Sequence, residues 1–319
     1  ARRLPGHGRA PWGGMKHMRL AHNPANGRIY FLGGDYSGPG GYQSGRNEVY
    51  SYSVLDDEWR EEHPYCGPAG TVQPSHPDEV GWVYDTKRSL FWVLPGYMGG
   101  PQGNCAASTL VRGEIMTFDP AARQWSRTRR KDLSPSTAGS KTFAQYDPIT
   151  DSLIRFAYAQ VETYDIQADS WSVRKNAFNA RLGYEYTAFD PKGRRIYAIS
   201  PLESRLYAYN IDKKTLAPVS DTPPVGARPG FTRPVWDPVN SVLLWFQFVS
   251  SEATGKFHVY HPATNTWERD LPIHQPEGLG VRGSNVVFDP LQNVLLLLGG
   301  TGEPNPHLFL YRYGAGART

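Results

Sequence analysis

Residues 288–300 read Phe288-Asp289-Pro290-Leu291-Gln292-Asn293-Val294-Leu295-Leu296-Leu297-Leu298-Gly299-Gly300. An aromatic residue precedes Asp and Pro, three further residues follow, and an apolar run then ends in Gly-Gly. The Asp-Pro pair is turn chemistry. An Asp side chain accepts bonds from the backbone ahead of it, and Pro presets the φ angle that a type I turn needs. The run from Val294 to Leu298 is only strand-length, and its lack of alternation suits a strand buried on both faces.

The same phrase occurs six times: His22-Asn23-Pro24, Tyr84-Asp85-Thr86, Tyr146-Asp147-Pro148, Phe189-Asp190-Pro191, Trp236-Asp237-Pro238 and Phe288-Asp289-Pro290. Successive Asn or Asp positions lie 62, 62, 43, 47 and 52 residues apart, around the period of a repeat of about 50 residues. Each turn is expected to close a hairpin between the first two strands of a unit. Second strands such as Arg28–Leu32, Ser89–Val93 and Val242–Phe246 are nearly continuous apolar runs. A third, better alternating strand follows, as in Val49–Tyr52 and Val161–Tyr164. A second turn then leads to Trp59, Trp125, Trp171 or Trp267, with Leu216 in that place in the fourth unit.

Six copies of a four-stranded unit imply an all-β fold, a six-bladed β-propeller with four-stranded antiparallel blades. The expected blades are 14–62, 78–128, 139–174, 182–219, 230–270 and 281–313 plus 1–6, in a single domain over 1–319. The sixth unit lacks its own fourth strand. Leu4-Pro5 near the start matches Leu271-Pro272 in the fifth unit, so residues 1–5 are expected to complete blade six. Closing the ring in this way removes an exposed sheet edge. The same register expects a Trp just before Ala1, which points to a trimmed or processed form.

Composition agrees. There are 33 Gly and 27 Pro, the content of a turn-rich chain, and 39% hydrophobic residues, which excludes a disordered one. No run of about 18 apolar residues predicts membrane insertion. A net charge of +4, mostly scattered, does not argue for nucleic acid. Arg127, Arg129, Arg130 and Lys131 form one small cluster, read as a solvated interblade loop.

Taken together, these motifs resemble those of kelch and galactose-oxidase-like propellers. Gly33-Gly34 and Gly299-Gly300 match that family's Gly-Gly, Pro95-Gly96 matches it in part, and blades three, four and five lack it. The resemblance implies that the first strand of each blade lines a central channel. It also implies that the turn motifs close one face while the longer loops share the other. Galactose oxidase needs a copper site of two His and two Tyr, one Tyr crosslinked to Cys. No such set can be assembled here, so neither a metal nor another cofactor is expected.

The loop face is where function is sought. The two long Gly-rich loops, Asp35–Arg46 and Gly96–Arg112, carry Tyr36 and Tyr97 and are expected to raise a wall over blades one and two. Residues entering the first strands are polar: Lys16, His17, Asp78, Glu79, Lys141, Tyr184, Glu185, Arg233 and Arg282. Charges converging on one axis must pair with one another or receive a ligand, because burying them unpaired is costly. They are read as a funnel for a polar or acidic small molecule, glycan or peptide. The loop face is an alternative seat for a protein partner. His17, Tyr184 and Glu185 form a candidate acid–base set for a rival reading, a carbohydrate-active lyase or isomerase. A third reading is a structural subunit of an extracellular or viral assembly. Cys66 and Cys105 lie in loops that emerge on one face and are expected to form a disulfide, which implies export. The opening residues do not read as a signal peptide, and a start inside a blade is compatible with removal of an upstream segment.

Overall fold

The computed structural model describes residues 2–3, 15–16, 18–38, 41–75, 80–94, 109–111, 114–131, 143–157, 160–174, 187–200, 205–219, 234–247, 254–274, 285–299 and 307–314. They form six antiparallel blades in a closed ring, a six-bladed β-propeller. The innermost strands are Arg19–Asn23, Gly81–Asp85, Phe143–Asp147, Thr187–Asp190, Pro234–Asp237 and Asn285–Asp289. Each packs beside the next, and the sixth returns to the first. Among the described residues there is no helix.

The turn motifs act as their chemistry dictates. The side-chain oxygen of Asn23 accepts the Ala25 amide at 2.9 Å, and Asp85 accepts those of Lys87 and Arg88 at 2.9 and 3.1 Å. Asp147, Asp190, Asp237 and Asp289 accept the amides of Ile149, Gly193, Val239 and Leu291 in turn. The fourth residue after each Asn or Asp, from Gly27 to Asn293, has φ between 50° and 67°, which reverses the chain into the second strand.

The second strands are buried throughout: Ile29, Tyr30, Phe31 and Leu32 are at most 1% exposed. Apolar side chains gather into six clusters, and each spans two neighbouring blades. Phe246 and Phe257 of blade five pack with Leu295 and Phe309 of blade six, for example, and Phe31 and Tyr52 of blade one with Leu296 and Leu308. The core is therefore six interblade layers, and each fully buried Phe or Leu contributes about 1.5–3 kcal/mol. At the outer edge an aromatic of the third strand pairs with the Trp of the fourth: Tyr52 with Trp59, Phe118 with Trp125, Tyr164 with Trp171 and Tyr260 with Trp267. Ring centroids are 4.9–5.1 Å apart. Tyr209 and Leu216 occupy the same register in blade four.

Closure occurs where it is expected. Arg2 and Arg3 pair antiparallel with Leu310 and Phe309, so the start of the chain supplies the fourth strand of blade six.

Two expectations are corrected. Residues 35–38 and 41–46 are strand and not loop. The second and third strands of blade one run on as a long hairpin, Arg28–Gly38 against Gly41–Ser53, with Gly38 facing Gly41. Gly33, at φ 57°, sits where this ladder shifts register. Met15 and Lys16 pair with Tyr36 and Asp35, which extends the sheet further. The Gly content suggested a loop, yet backbone bonding on both sides holds the segment as sheet. The basic cluster is likewise strand, not interblade loop. It lies in Gln124–Lys131, where Arg127 is paired with Glu114.

Candidate functional site: the axial channel

The last residues of all six innermost strands surround a cavity of about 420 Å³ on the axis. The six residues that precede each Asn or Asp, namely His22, Tyr84, Tyr146, Phe189, Trp236 and Phe288, all line it. Pro24, Thr86, Pro191, Pro238 and Pro290 complete the lining at the turn face; all five are exposed, so the cavity opens there.

This end of the channel is largely apolar, and it is not the end where the charged funnel is expected. The expectation came from residues about six before each turn. The wall described here is built by the last few residues of each strand, which read Ala, Val, Pro and aromatic. Its few charged groups are engaged. Arg19 donates to the Val80 carbonyl at 2.7 Å, and its guanidinium lies 4.3 Å from the centre of the Phe143 ring, a cation–π contact that ties blade one to blade three. His22 Nε2 is 3.4 Å from Asp289 Oδ1 across the seam between blades one and six. Burial pushes the Asp289 carboxyl upward, but His22 and the Gln292 and Leu291 amides outweigh this and hold it below the usual carboxylate range.

Beside the channel, the turn residues carry ionic struts between blades. Arg88 of blade two reaches both oxygens of Asp151 in blade three, at 2.8 and 2.7 Å, and also Asp85 at 2.8 Å. Arg194 of blade four holds Asp147 of blade three in a bidentate pair at 2.7 and 3.0 Å. Hydrogen bonds from Arg88 are the main reason that the Asp151 carboxyl lies far below its ordinary range. Further out, Arg155 and Glu162 form a fully buried ion pair, with the guanidinium 4.6 Å from the centre of the Trp171 ring. Burial pushes His258 down to about 4, so it is neutral, and its Nδ1 accepts the Asp270 amide. These groups are structural.

Of the residues singled out in the sequence, His17, Asp78, Glu79, Tyr97, Cys105, Lys141, Tyr184, Glu185, Arg233 and Arg282 lie outside the described residues. Lys16 and Tyr36 are placed by their backbones in the extended sheet of blade one. Cys66 lies in the turn after blade one, at φ 59°, its amide bonded to Asn47 Oδ1 at 3.1 Å. Among the described residues, no group of three or more His, Cys, Asp or Glu is placed to hold a metal ion. The sequence reading did not identify the aromatic ring as part of the site. The available signal was an aromatic or His residue before every turn, at a position where the turn itself requires none.

No family model matches the chain, and no curated protein matches it. Solved structures resemble it in fold. YjhT superposes with a TM-score of 0.60 at 12% identity, over 96% of this chain and 97% of that one. An auxiliary nutrient-binding protein from Bacteroides thetaiotaomicron gives 0.56 at 11% identity, over 94% of this chain and 69% of that one. TolB from Acinetobacter baumannii gives 0.53 at 15% identity, and the match covers 85% of this chain and 57% of TolB. At these identities the likeness is one of fold.

Proposed function

We propose that this chain is a kelch-type binding propeller that takes a ligand on its axis. The observation that carries this reading is the hollow channel of about 420 Å³, to which all six blades contribute. That size is within the range of small-molecule sites, whereas a purely structural ring favours a plugged axis. The name of the similarly folded nutrient-binding protein is in keeping with a binding role. The Tyr–Trp register at the blade edges and Gly33-Gly34 support the kelch reading.

At the loop end, Lys16, Arg233 and Arg282 are the residues that would receive an acidic glycan or peptide, because a guanidinium donates two parallel charge-assisted bonds to a carboxylate. Arg233→Ala should weaken binding of a uronic-acid oligosaccharide by about 1.5–3 kcal/mol in calorimetry, with the melting curve unchanged. Absence of any binding by the parent protein, or turnover of the glycan by it, would overturn the reading.

Export and a Cys66–Cys105 bridge belong to the same proposal. Val72–Pro74 and Thr109–Val111 run parallel, with Thr109 opposite Val72. That pairing joins the segment that follows Cys66 to the one that follows Cys105. Mass spectrometry of the non-reduced protein should find the two peptides linked; free thiols at both sites in oxidised material would count against the bridge and against export.

A further inference from the structure

A hairpin turn of this type has no need of an aromatic residue before its Asn or Asp. Five of the six units nevertheless place an aromatic ring there and the sixth a His, and ring closure gathers all six around one cavity. Prolines from four turns stand at its mouth. Around that mouth, Ile149, Val239 and Leu291 are 67%, 55% and 57% exposed, each two residues after a turn Asp. Three blades thus set apolar residues beside an aromatic well, while Lys87 and Lys192 stand at the same position in blades two and four.

Hydrogen-bonding groups are few in the well. Gln145 and Thr187 line it, and the Thr187 hydroxyl is buried out of reach of the cavity. Arg19 is committed to Val80 and Phe143, and His22 faces Asp289. A pyranose would leave most of its hydroxyls without partners here, each at a desolvation cost. A flat aromatic group instead buries its faces against rings and prolines, and one hydrogen-bonding substituent can meet the Gln145 amide.

We propose that the turn-face end of the channel is a binding site for a flat aromatic molecule carrying one hydrogen-bonding substituent. This rests on the same axial cavity as the function proposed above, but it assigns the turn-face end and a ligand of opposite polarity. Either can fail without the other.

The test uses 2-naphthol as probe, with naphthalene and a methyl pyranoside as comparisons, each titrated by calorimetry or fluorescence. Saturable one-to-one binding of 2-naphthol is expected, with the pyranoside at least tenfold weaker. Gln145→Met should weaken 2-naphthol about fivefold and leave naphthalene unchanged, as expected for loss of one hydrogen bond. Ala21→Leu and Ala188→Leu each fill the well and should weaken both arenes; whichever of the two keeps the parent melting curve supplies the reading. Absence of saturable arene binding would overturn the proposal. So would arene affinity unaffected by filling the well, or a pyranoside that binds more tightly than 2-naphthol. A parallel titration with the uronic-acid oligosaccharide reports separately on the loop end.

Discussion

Each of the first five blades reverses its chain twice on the same face, once beside the axis and once near the rim, with nearly the same local geometry. The inner turns place a left-handed residue four positions after Asn23, Asp85, Asp147, Asp190 and Asp237; the outer turns do so after Ser53, Asp119, Asp165, Asn210 and His261. Their surroundings differ. The inner residues are 0–6% exposed, whereas Asp165 is exposed and Asp119, Asn210 and His261 are half-buried; Ser53, at 4%, is the one outer residue as buried as the inner set. Inner turns carry the interblade struts Arg88–Asp151 and Arg194–Asp147 and line the cavity. The outer Tyr52, Tyr164 and Tyr260 instead bond within their own blades, to Asp57, Asp169 and Asn265, and of the outer turns blade two's alone sends a strut across, from the half-exposed Arg123 to Glu62 of blade one, among the described residues. One local motif therefore does two jobs, and its distance from the axis decides which.

The sharpest test of this contrast replaces one residue of each kind. Asp85 is fully buried and accepts the Lys87 and Arg88 amides, the Arg88 guanidinium and the Trp92 indole. Asp85→Ala leaves all of these donors short of a partner and should cost about 3–5 kcal/mol in chemical denaturation. Asp165→Ala, at the rim, should cost about 0.5–1 kcal/mol. Equal losses would break the comparison.

Acid stability probes the struts themselves. Burial pushes Asp147 upward, but hydrogen bonds from Arg194, Thr150 and the Ile149 amide prevail and hold its carboxyl below the usual carboxylate range. Asp151 is lowered as well, chiefly by Arg88. Folded values below the unfolded one mean that this stabilisation is complete above about pH 5 and is lost as pH falls below about 4. Arg194→Ala should therefore cost about 1–3 kcal/mol at pH 7 and give a shallower loss between about pH 4 and pH 2. An acid limb parallel to that of the parent would show that the strut contributes nothing to it.

The smallest effect is expected at the rim. Tyr164→Phe removes one hydroxyl bond to Asp169, 2.8 Å long, and keeps the packing on Trp171. About 0.5–1.5 kcal/mol should be lost at neutral pH. A larger loss would mean that the outer turns share the load assigned here to the inner ones.

What the residue order determined by itself is whatever acts over a few residues or one repeat. An Asp carboxylate bonding amides two and three positions ahead made six turns legible, and strand-length apolar runs made six buried strands legible. The Leu-Pro register near the start marked the strand that closes the ring. What only the tertiary structure decided involves groups far apart in the chain: the Arg19 contact with Phe143, the His22–Asp289 seam and the gathering of five aromatic residues and a His on one cavity. Residues 35–46 belong there too, because Gly-rich composition reads as loop until Met15 and Lys16 are seen bonding alongside. The physical reason is the same in each case. Turn chemistry is settled within a few bonds of the residue that carries it, whereas the lining of an axis exists only once the blades have closed around it.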